Sequence, residues 1–235
     1  MTTFYELSGD DKRVSFACEY LQKHGYEKVN DVNKTDFAVA GVNPVGIDEC
    51  PAKRIYAGNV NGNNVIDYTK DETFAVENAF YTAEGAICIA VQNSSLSLIN
   101  SSVLMVGYGR ISKALHRLLS GYTPNITVCA RNDSQQAIAR MNGADAIGFD
   151  ELNCRYDFIF NTVPHPVINE RELRTCNDDT LIIDLASFPG GVDMHFAGAL
   201  GVNTVVARGL PSRLSPKSAG EAVAKVIIKN KEVAL

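Results

Sequence analysis

The stretch from Ser102 to Gly109 reads SVLMVGYG, in which an apolar run comes directly before a pair of glycines. This combination predicts a buried strand that ends in a tight turn. Downstream, apolar residues recur at the spacing of one helix face until Gly121, at Ile111, Ala114, Leu115, Leu118 and Leu119. Strand, glycine turn and helix in this order predict the opening βα unit of a dinucleotide-binding domain.

Each position of the glycine turn has an expected part in binding a pyrophosphate. Gly107 permits the tight turn, and Gly109 lets the backbone approach the anion. The helix is expected to begin at Arg110 or Ile111 and to direct its unpaired amides at the same anion. The third glycine of the pattern is replaced by Ser112, whose small side chain still allows helix and strand to pack closely. An ordinary connecting turn is the alternative interpretation, which the flanking pattern disfavours.

The composition is that of a globular protein without a nucleic-acid or membrane signature. Of the 235 residues, 46% are hydrophobic and 21% are charged, and the formal net charge is -5. The length allows one large domain or two small ones, of which we favour two. The net negative charge offers no broad positive field for nucleic acid or an anionic membrane. Because the sequence has no apolar run of ~18 residues and no secretory signal pattern, we expect a cytoplasmic location.

Cysteine spacing argues against a disulfide framework and against a metal centre. The six cysteines are scattered without a C-x-x-C pair. We therefore expect them to be reduced core residues. No metal-ligand spacing is present either, so no metal is expected.

Alternating strand and helix patterns predict an α/β protein with a doubly wound parallel sheet, the Rossmann fold, and a smaller N-terminal α/β domain. The segment TAEGAICIAVQN, with Thr82 as its expected N-cap, predicts an apolar linking helix. Ser215 and Pro216 are expected to cap and start the last helix. The predicted parts are residues 1–81 for the small domain, 82–101 for the linking helix, 102–215 for the Rossmann domain and 216–235 for the C-terminal helix.

The second strand of the Rossmann domain, ITVCA, ends at Ala130 and is followed by Arg131 and Asn132, and all three are expected to contact the cofactor. In NAD-binding units an acidic residue stands near this strand end and binds the ribose hydroxyls. Here Arg131 occupies that region, and a guanidinium binds a phosphate through two parallel hydrogen bonds. We therefore expect the cofactor to be NADP. An ordinary surface arginine is the alternative. The helix that follows is expected to be capped by Asp133.

The loops after the fourth and fifth strands are expected to frame the nicotinamide, because ligands of such sheets bind outside the carboxyl ends of the strands. The fourth loop begins NTVPHPVI at Asn161, and the fifth lies in DLASFPGGVD, which begins at Asp184. The residues expected to contact the cofactor in these loops are Asn161, Thr162, Val163, Pro164 and Ala186.

Several separated motifs together resemble one family. VGYGRIS, NTVPHPVI, IIDLASFPGGVD and GLPSRLSPKSAG, with YTAEGAICIAVQ before them, are similar to the A subunit of dipicolinate synthase. The resemblance covers roughly Tyr81 to Ile228, and the N-terminal part matches only loosely. It implies an NADP-binding, reductase-like subunit that oxidises a cyclic dihydro- or hydroxytetrahydrodipicolinate to dipicolinate during spore formation. It also implies a flavoprotein-like second subunit.

The resemblance further suggests which residues act on a small dicarboxylate. Lys217 matches the family's proline-lysine motif and is the first choice as a carboxylate anchor, whereas Arg213 stands where the family tends to be apolar. Ser187 and Asn161 match positions in the nicotinamide loops, where each would either donate a hydrogen bond or cap a turn. His165 is a further candidate acid-base group that the motif does not require.

The first domain looks shorter than the family's, and this leaves three interpretations open. The chain is a dipicolinate-synthase-like dehydrogenase subunit, a reductase of another small carboxylate, or a non-catalytic nucleotide-binding protein. A homo-oligomer is compatible with each of them. The remaining histidines of the helical segments, His24 and His116, are expected on exposed helix faces.

Overall fold

In a computed structural model, which describes residues 1–7 and 9–232, the chain divides into two compact units. The first unit combines Met1–Tyr81 with the chain from Pro211 onward, and the second is Thr82–Leu210. The C-terminal helix thus belongs to the same unit as the N-terminal sheet. From the sequence, this helix is expected to extend to residue 235, but residues 233–235 lie outside the described residues.

The first unit contains a five-stranded sheet whose described strand pairs are all parallel, in the order β2-β1-β3-β4-β5. The three-residue strands β2 and β5 carry too short a pattern to be predicted from the sequence. The elements are β1 Thr2–Glu6, α1 Lys12–Lys23, β2 Tyr26–Lys28, β3 Phe37–Val42, β4 Ile55–Gly58 and β5 Val65–Asp67.

A long helix, α2 (Glu72–Asn93), runs from the first unit into the second. It begins ten residues before Thr82, so the predicted N-cap at Thr82 is wrong, because apolar residues continue the helical pattern upstream to Phe74. Among the described helices, α2 is the one that is long and apolar enough to cross a membrane. Its buried positions, including Ala79, Ala83, Ala86 and Ala90, identify it as a core helix.

The second unit contains a six-stranded sheet with the order β8-β7-β6-β9-β10-β11, parallel throughout. This is the order of a dinucleotide-binding sheet, with its switch point between β6 and β9, and it confirms the predicted fold class. The strands are β6 Val103–Val106, β7 Ile126–Cys129, β8 Asp145–Ile147, β9 Phe158–Asn161, β10 Leu181–Asp184 and β11 Asn203–Val206.

The helices of the second unit follow the predicted order. The helix after β7 is capped by Asn132, whose side chain accepts a hydrogen bond from the N–H of Gln135 at 2.8 Å. The predicted cap at Asp133 is therefore one residue too late, since Asp133 is the first helical residue. The helices are α3 Arg110–Leu119, α4 Asp133–Met141, α5 Glu170–Leu173 and α6 Met194–Leu200.

Two further helices complete the described chain, α7 (Leu210–Leu214) and α8 (Pro216–Glu232). Within the first unit, α8 packs on α1, and Ala222, Val223 and Ile227 enter the same core as Phe4 and Leu21. Pro216 starts α8 as predicted. The Ser215 hydroxyl does not cap it, because its oxygen is buried without a hydrogen-bond partner among the described residues.

The six cysteines are free thiols. Cys18, Cys129 and Cys154 are core residues as expected, whereas Cys50, Cys88 and Cys176 are only partly buried. Burial raises the pKa of Cys18 and Cys129 to about 12 each, so both are neutral at physiological pH. The prediction for His116 is wrong, because this residue is only 5% exposed. Its ring is held inside the second unit by a hydrogen bond with the Tyr108 hydroxyl, at 2.8 Å from Nδ1.

Candidate dinucleotide site

The glycine turn lies at the carboxyl end of β6, the central strand of the second sheet. Gly107 has φ +88°, and a Cβ there would stand 2.7 Å from Thr162 Oγ1 and 2.9 Å from Val163 Cγ2. Positive φ and this close contact both require glycine. The tight spacing places the loop after β9 directly against the turn and brings Thr162 and Val163 next to Gly107. Their expected contact with a cofactor stays a prediction.

Gly109 differs from Gly107 in having open space around it. It is the N-cap of α3 with φ -84° and ψ -165°, and a Cβ there would meet no atom within 4 Å. The backbone conformation is one that any residue adopts. Neither strain nor packing inside this protein therefore accounts for glycine here, whereas the close approach of a ligand does.

The start of α3 supplies hydrogen-bond donors beside Gly109. The first bond of the helix runs from the Lys113 N–H to the Gly109 carbonyl at 3.0 Å, so the amides of Ile111 and Ser112 have no helical acceptor. Together with the open space at Gly109, these amides fit a pyrophosphate, which binds at helix N-termini for electrostatic and hydrogen-bonding reasons. The Arg110 side chain is exposed at the same place.

Ser112 replaces the third glycine and is completely buried. Its Oγ lies 2.9 Å from Thr162 Oγ1, and the Thr162 hydroxyl in turn donates to the Val106 carbonyl at 3.0 Å. Since the Thr162 proton is used on Val106, Ser112 is the donor in their shared bond. The serine thus links α3 to the ends of β6 and β9 through hydrogen bonds, whereas a glycine at this position would only pack against them.

The end of β7 presents Arg131 next to the glycine turn. The Gly107 N–H donates to the Cys129 carbonyl at 2.8 Å, which fixes the turn to this strand end. Ala130 is buried, whereas Arg131 is exposed and makes no polar contact with the described part of the chain. Asn132 uses its side-chain oxygen to cap α4, so that oxygen is already engaged within the protein.

Asn161 and Asp184, at the ends of β9 and β10, form a buried polar pair under the loops. Asn161 is 0% exposed, and its Nδ2 donates to Asp184 Oδ1 at 2.7 Å and to the Val163 carbonyl at 3.1 Å. Its Oδ1 accepts from the Val163 N–H at 3.1 Å. The side chain makes three hydrogen bonds inside the protein and thereby positions the loop after β9, while the expected contact of Asn161 with a cofactor stays a prediction.

Asp184 was missed as a functional residue by the sequence analysis. It is 1% exposed and accepts hydrogen bonds from the backbone N–H groups of Ala186 (3.2 Å) and Gly191 (3.1 Å), besides that from Asn161. A Cβ at Gly191 would stand 2.2 Å from Asn161 Nδ2 and 2.5 Å from the Val163 carbonyl, so glycine is needed there. An aspartate ending the apolar strand LIID was the available signal.

Arg208, after β11, holds the same loop from the other side. Its Nε donates to the Ala186 carbonyl at 2.9 Å and its Nη2 to the Pro189 carbonyl at 3.1 Å, and the guanidinium lies 6.0 Å from the Phe188 ring centroid. Both backbone polar groups of buried Ala186 are therefore already hydrogen-bonded, its N–H to Asp184 and its C=O to Arg208. The carboxyl edge of the second sheet is preorganised by Asp184 and Arg208.

Comparison with known proteins agrees with this geometry. Residues 77–187 match the D-isomer specific 2-hydroxyacid dehydrogenase, NAD binding domain. The dipicolinate synthase A subunit of Bacillus subtilis (strain 168) is 33% identical over 161 residues, which are 67% of this chain and 54% of that protein. The chain is a protein like the A subunit of dipicolinate synthase. It spans about half the length of this curated relative.

Solved structures of the dipicolinate synthase A subunit from two bacilli share the fold. The Bacillus subtilis structure aligns with a TM-score of 0.85 and 24% identity, over 99% of this chain and 96% of that chain. The Bacillus halodurans structure aligns with a TM-score of 0.84 and 22% identity, over 97% of each chain. These structures show the fold. The matched family model shows that this dipicolinate-synthase-like protein has an NAD(P)-binding domain, which lies largely in the second unit.

The residues expected to act on substrate lie in different units. Ser187 is exposed in the loop after β10, where its carbonyl accepts from the Gly190 N–H at 2.8 Å. Pro164 and His165 are exposed in the loop after β9. Lys217 is exposed in the first turn of α8 and so belongs to the first unit.

Proposed function

We propose that the chain is an NADP-dependent oxidoreductase subunit that oxidises a cyclic dihydro- or hydroxytetrahydrodipicolinate to dipicolinate. The observation that supports this most directly is the open glycine turn, with the unpaired amides of α3 and exposed Arg131 beside it. The similarity to the A subunit of dipicolinate synthase supplies the substrate class. The activity is proposed for the protein as a whole.

Arg131 is the basis for proposing NADP rather than NAD. It stands directly after buried Ala130 at the end of β7, and no carboxylate occupies that strand end. A carboxylate there would bind ribose hydroxyls and repel a 2′-phosphate, whereas a guanidinium attracts the phosphate. Because Arg131 makes no polar contact with the described part of the chain, no internal bond has to break when it binds a phosphate.

Lys217 is proposed as an anchor for a substrate carboxylate. Its ammonium lies in the first turn of α8, and the first bond of that helix runs from the Ala219 N–H to the Ser215 carbonyl at 3.0 Å. The amides of Lys217 and Ser218 therefore have no helical acceptor. A carboxylate is stabilised by such amides and by the positive end of the helix dipole, in addition to the lysine charge.

The proposed reaction is the transfer of one hydride from the substrate ring to the nicotinamide. When bound, NADP+ would accept the hydride, and a dihydro ring would release one proton to solvent and become aromatic. A hydroxytetrahydro ring would in addition have to lose one water molecule to reach the same product. Since aromaticity stabilises the product, the protein chiefly has to orient the reacting groups. In the second unit, Asn161, Asp184 and Arg208 hold the loop that carries Ser187, whose exposed hydroxyl is proposed to orient the carboxamide or the substrate.

We further propose that the protein works in the cytoplasm with a flavoprotein-like second subunit. The test combines both proteins with substrate and NADP+ and follows NADPH formation by its absorbance. We expect NADPH only when both proteins and substrate are present. Turnover without the partner would assign the chain to reductases of another small carboxylate, and cofactor binding without turnover under any condition would make it a non-catalytic binding protein.

Two variants on one helix test the anchor. Lys217→Gln is expected to raise the KM for the dicarboxylate and leave the NADP+ affinity unchanged. Lys225→Gln, a change at an exposed position later on α8, is the matched control and should leave both unchanged. A loss of NADP+ affinity in Lys217→Gln would instead place Lys217 in the nucleotide site.

A further inference from the structure

The second unit has a cavity beside α3 whose lining includes two cationic side chains. Its volume is about 180 Å³, and it lies between α3 and the end of α4. The residues that line it come from the glycine turn, from α3 and from the position just after each of the two helices, and are Tyr108, Lys113, His116, Arg117, Ser120 and Asn142.

A hydrogen-bond chain fixes the protonation of the buried histidine in this cavity. The Asn142 amide is oriented so that Nδ2 donates to the Tyr108 hydroxyl at 3.1 Å. Among the described residues, His116 Nδ1 at 2.8 Å is the only acceptor for the hydroxyl proton of buried Tyr108, so we assign the proton of this bond to Tyr108. Neutral His116 then carries its own proton on Nε2. Burial lowers the pKa of His116, which favours this neutral form at physiological pH.

The Nε2–H group of His116 is left to face the cavity. The imidazole is only 5% exposed, and Nε2 has no hydrogen-bond partner in the described part of the chain. Nε2 is not one of the completely enclosed, unpartnered polar atoms of the described residues, so it reaches the surface of the cavity. A buried donor without a partner is costly unless water or a ligand accepts from it.

Two cations stand at the mouth of the same cavity. The Lys113 ammonium lies 5.8 Å from the Tyr108 ring centroid, and Arg117 follows one helical turn later. Both side chains are exposed, and neither forms an ion pair with a described carboxylate, although the whole chain has a net charge of -5. Their positive field is therefore uncompensated locally.

We propose that this cavity binds a phosphate-class oxyanion. The Lys113 and Arg117 charges neutralise a dianion, while His116 Nε2–H donates to a further oxygen of the same tetrahedral group. The Ser120 hydroxyl donates to the Arg117 carbonyl at 3.0 Å and so only lines the cavity. The site is separate from the pyrophosphate cradle. Arg117 lies seven residues beyond the start of α3, which is about 10 Å along the helix axis, whereas the cradle uses the amides of the first turn.

The test follows His116 directly and requires neither cofactor nor turnover, so it is independent of the proposed function. Full-length protein is titrated with inorganic phosphate at constant ionic strength while the imidazole resonances of His116 are recorded by ¹⁵N NMR. We expect a saturable shift of Nε2. A phosphate monoester such as glycerol phosphate, titrated in parallel, shows whether the site prefers free phosphate or an esterified group.

Charge-removing variants then establish which residues bind the anion. Lys113→Gln and Arg117→Gln should each weaken phosphate binding about three- to tenfold, as expected for partly exposed charge-assisted contacts. Arg131→Gln, which removes a cation at the end of β7, is the matched control and should leave the His116 response unchanged. No saturable His116 shift, the same shift with chloride at equal ionic strength, or undiminished binding in both cavity variants would overturn the proposal.

Discussion

The two glycines of the turn give opposite expectations for the same substitution to alanine. Gly107 has φ +88° and would bring its Cβ to 2.7 Å from Thr162 Oγ1, whereas Gly109 has an ordinary extended backbone and open space. Gly107→Ala should therefore damage the folded protein itself. Gly109→Ala should leave the fold intact and damage only what binds in the open space.

The magnitudes follow from the geometry. At Gly107 the left-handed backbone costs about 1–2 kcal/mol with a side chain, and the overpacked contact costs about 1–3 kcal/mol more, so Gly107→Ala should lose about 2–5 kcal/mol of unfolding free energy. At Gly109, alanine is a poorer N-cap than glycine, which lowers the stability of the folded state. Alanine also restricts the unfolded chain more than glycine does, which raises the free energy of unfolding. These effects oppose each other, and we expect a change within about 0.5 kcal/mol.

Urea unfolding and calorimetric titration with NADP+ measure the two quantities on the same samples. Gly109→Ala should unfold like the parent protein and bind NADP+ at least about tenfold more weakly, because a methyl group displaces the pyrophosphate from charge-assisted amide bonds. Gly107→Ala serves as the control that loses stability. If Gly109→Ala bound NADP+ as well as the parent protein, the assignment of the open space to the pyrophosphate would be refuted.

Three further substitutions test other parts of the account. Arg131→Ala should weaken NADP+ at least about tenfold and NAD+ by less than about twofold, since only NADP+ carries the 2′-phosphate, and equal losses in a binding titration would contradict this. Asp184→Ala leaves three buried donors without their acceptor and should cost at least about 3 kcal/mol in urea unfolding, whereas exposed Asp178→Ala should be neutral. Burial raises the pKa of Asp11, but the Arg13 hydrogen bonds and charge outweigh it, so its pKa lies below the ordinary value. The stability from this ionised carboxylate is complete above the unfolded pKa of about 4 and is lost as the pH falls through the lower folded value. In Asp11→Asn the free energy of unfolding should therefore decrease less steeply as the pH is lowered. An unchanged pH dependence below about pH 4 would contradict the role of the Asp11–Arg13 pair.

The second unit was largely predictable because its signals are local. The apolar run from Val103, the glycines and the helical stripe that begins at Ile111 each lie within a few residues of one another. The same holds for the apolar strands β9 and β10, which are covered on both faces. Such local patterns predict the strands correctly because every residue of β6, β9 and β10 is buried in the folded sheet.

The roles of individual polar residues depended on distant partners and were harder to predict. Asn161 looked like a ligand donor, but Asp184, 23 positions along the chain, takes its amide. His116 looked exposed, but the Tyr108 hydroxyl and the position of α4 draw it inside. The Asn161–Asp184 and Asn142–Tyr108 bonds join residues 23 and 34 positions apart, so no short stretch of sequence contains them. Tyr108 and His116 are only eight positions apart, but the burial of both depends on the packing around α3.

The most direct test of the central claim is a calorimetric titration of the purified chain with NADP+ and with NAD+. The open turn at Gly109 with Arg131 beside it predicts one site per chain and tighter binding of NADP+. The absence of binding heat with either nucleotide, at several temperatures, would contradict the assignment of this edge of the second sheet as a dinucleotide site.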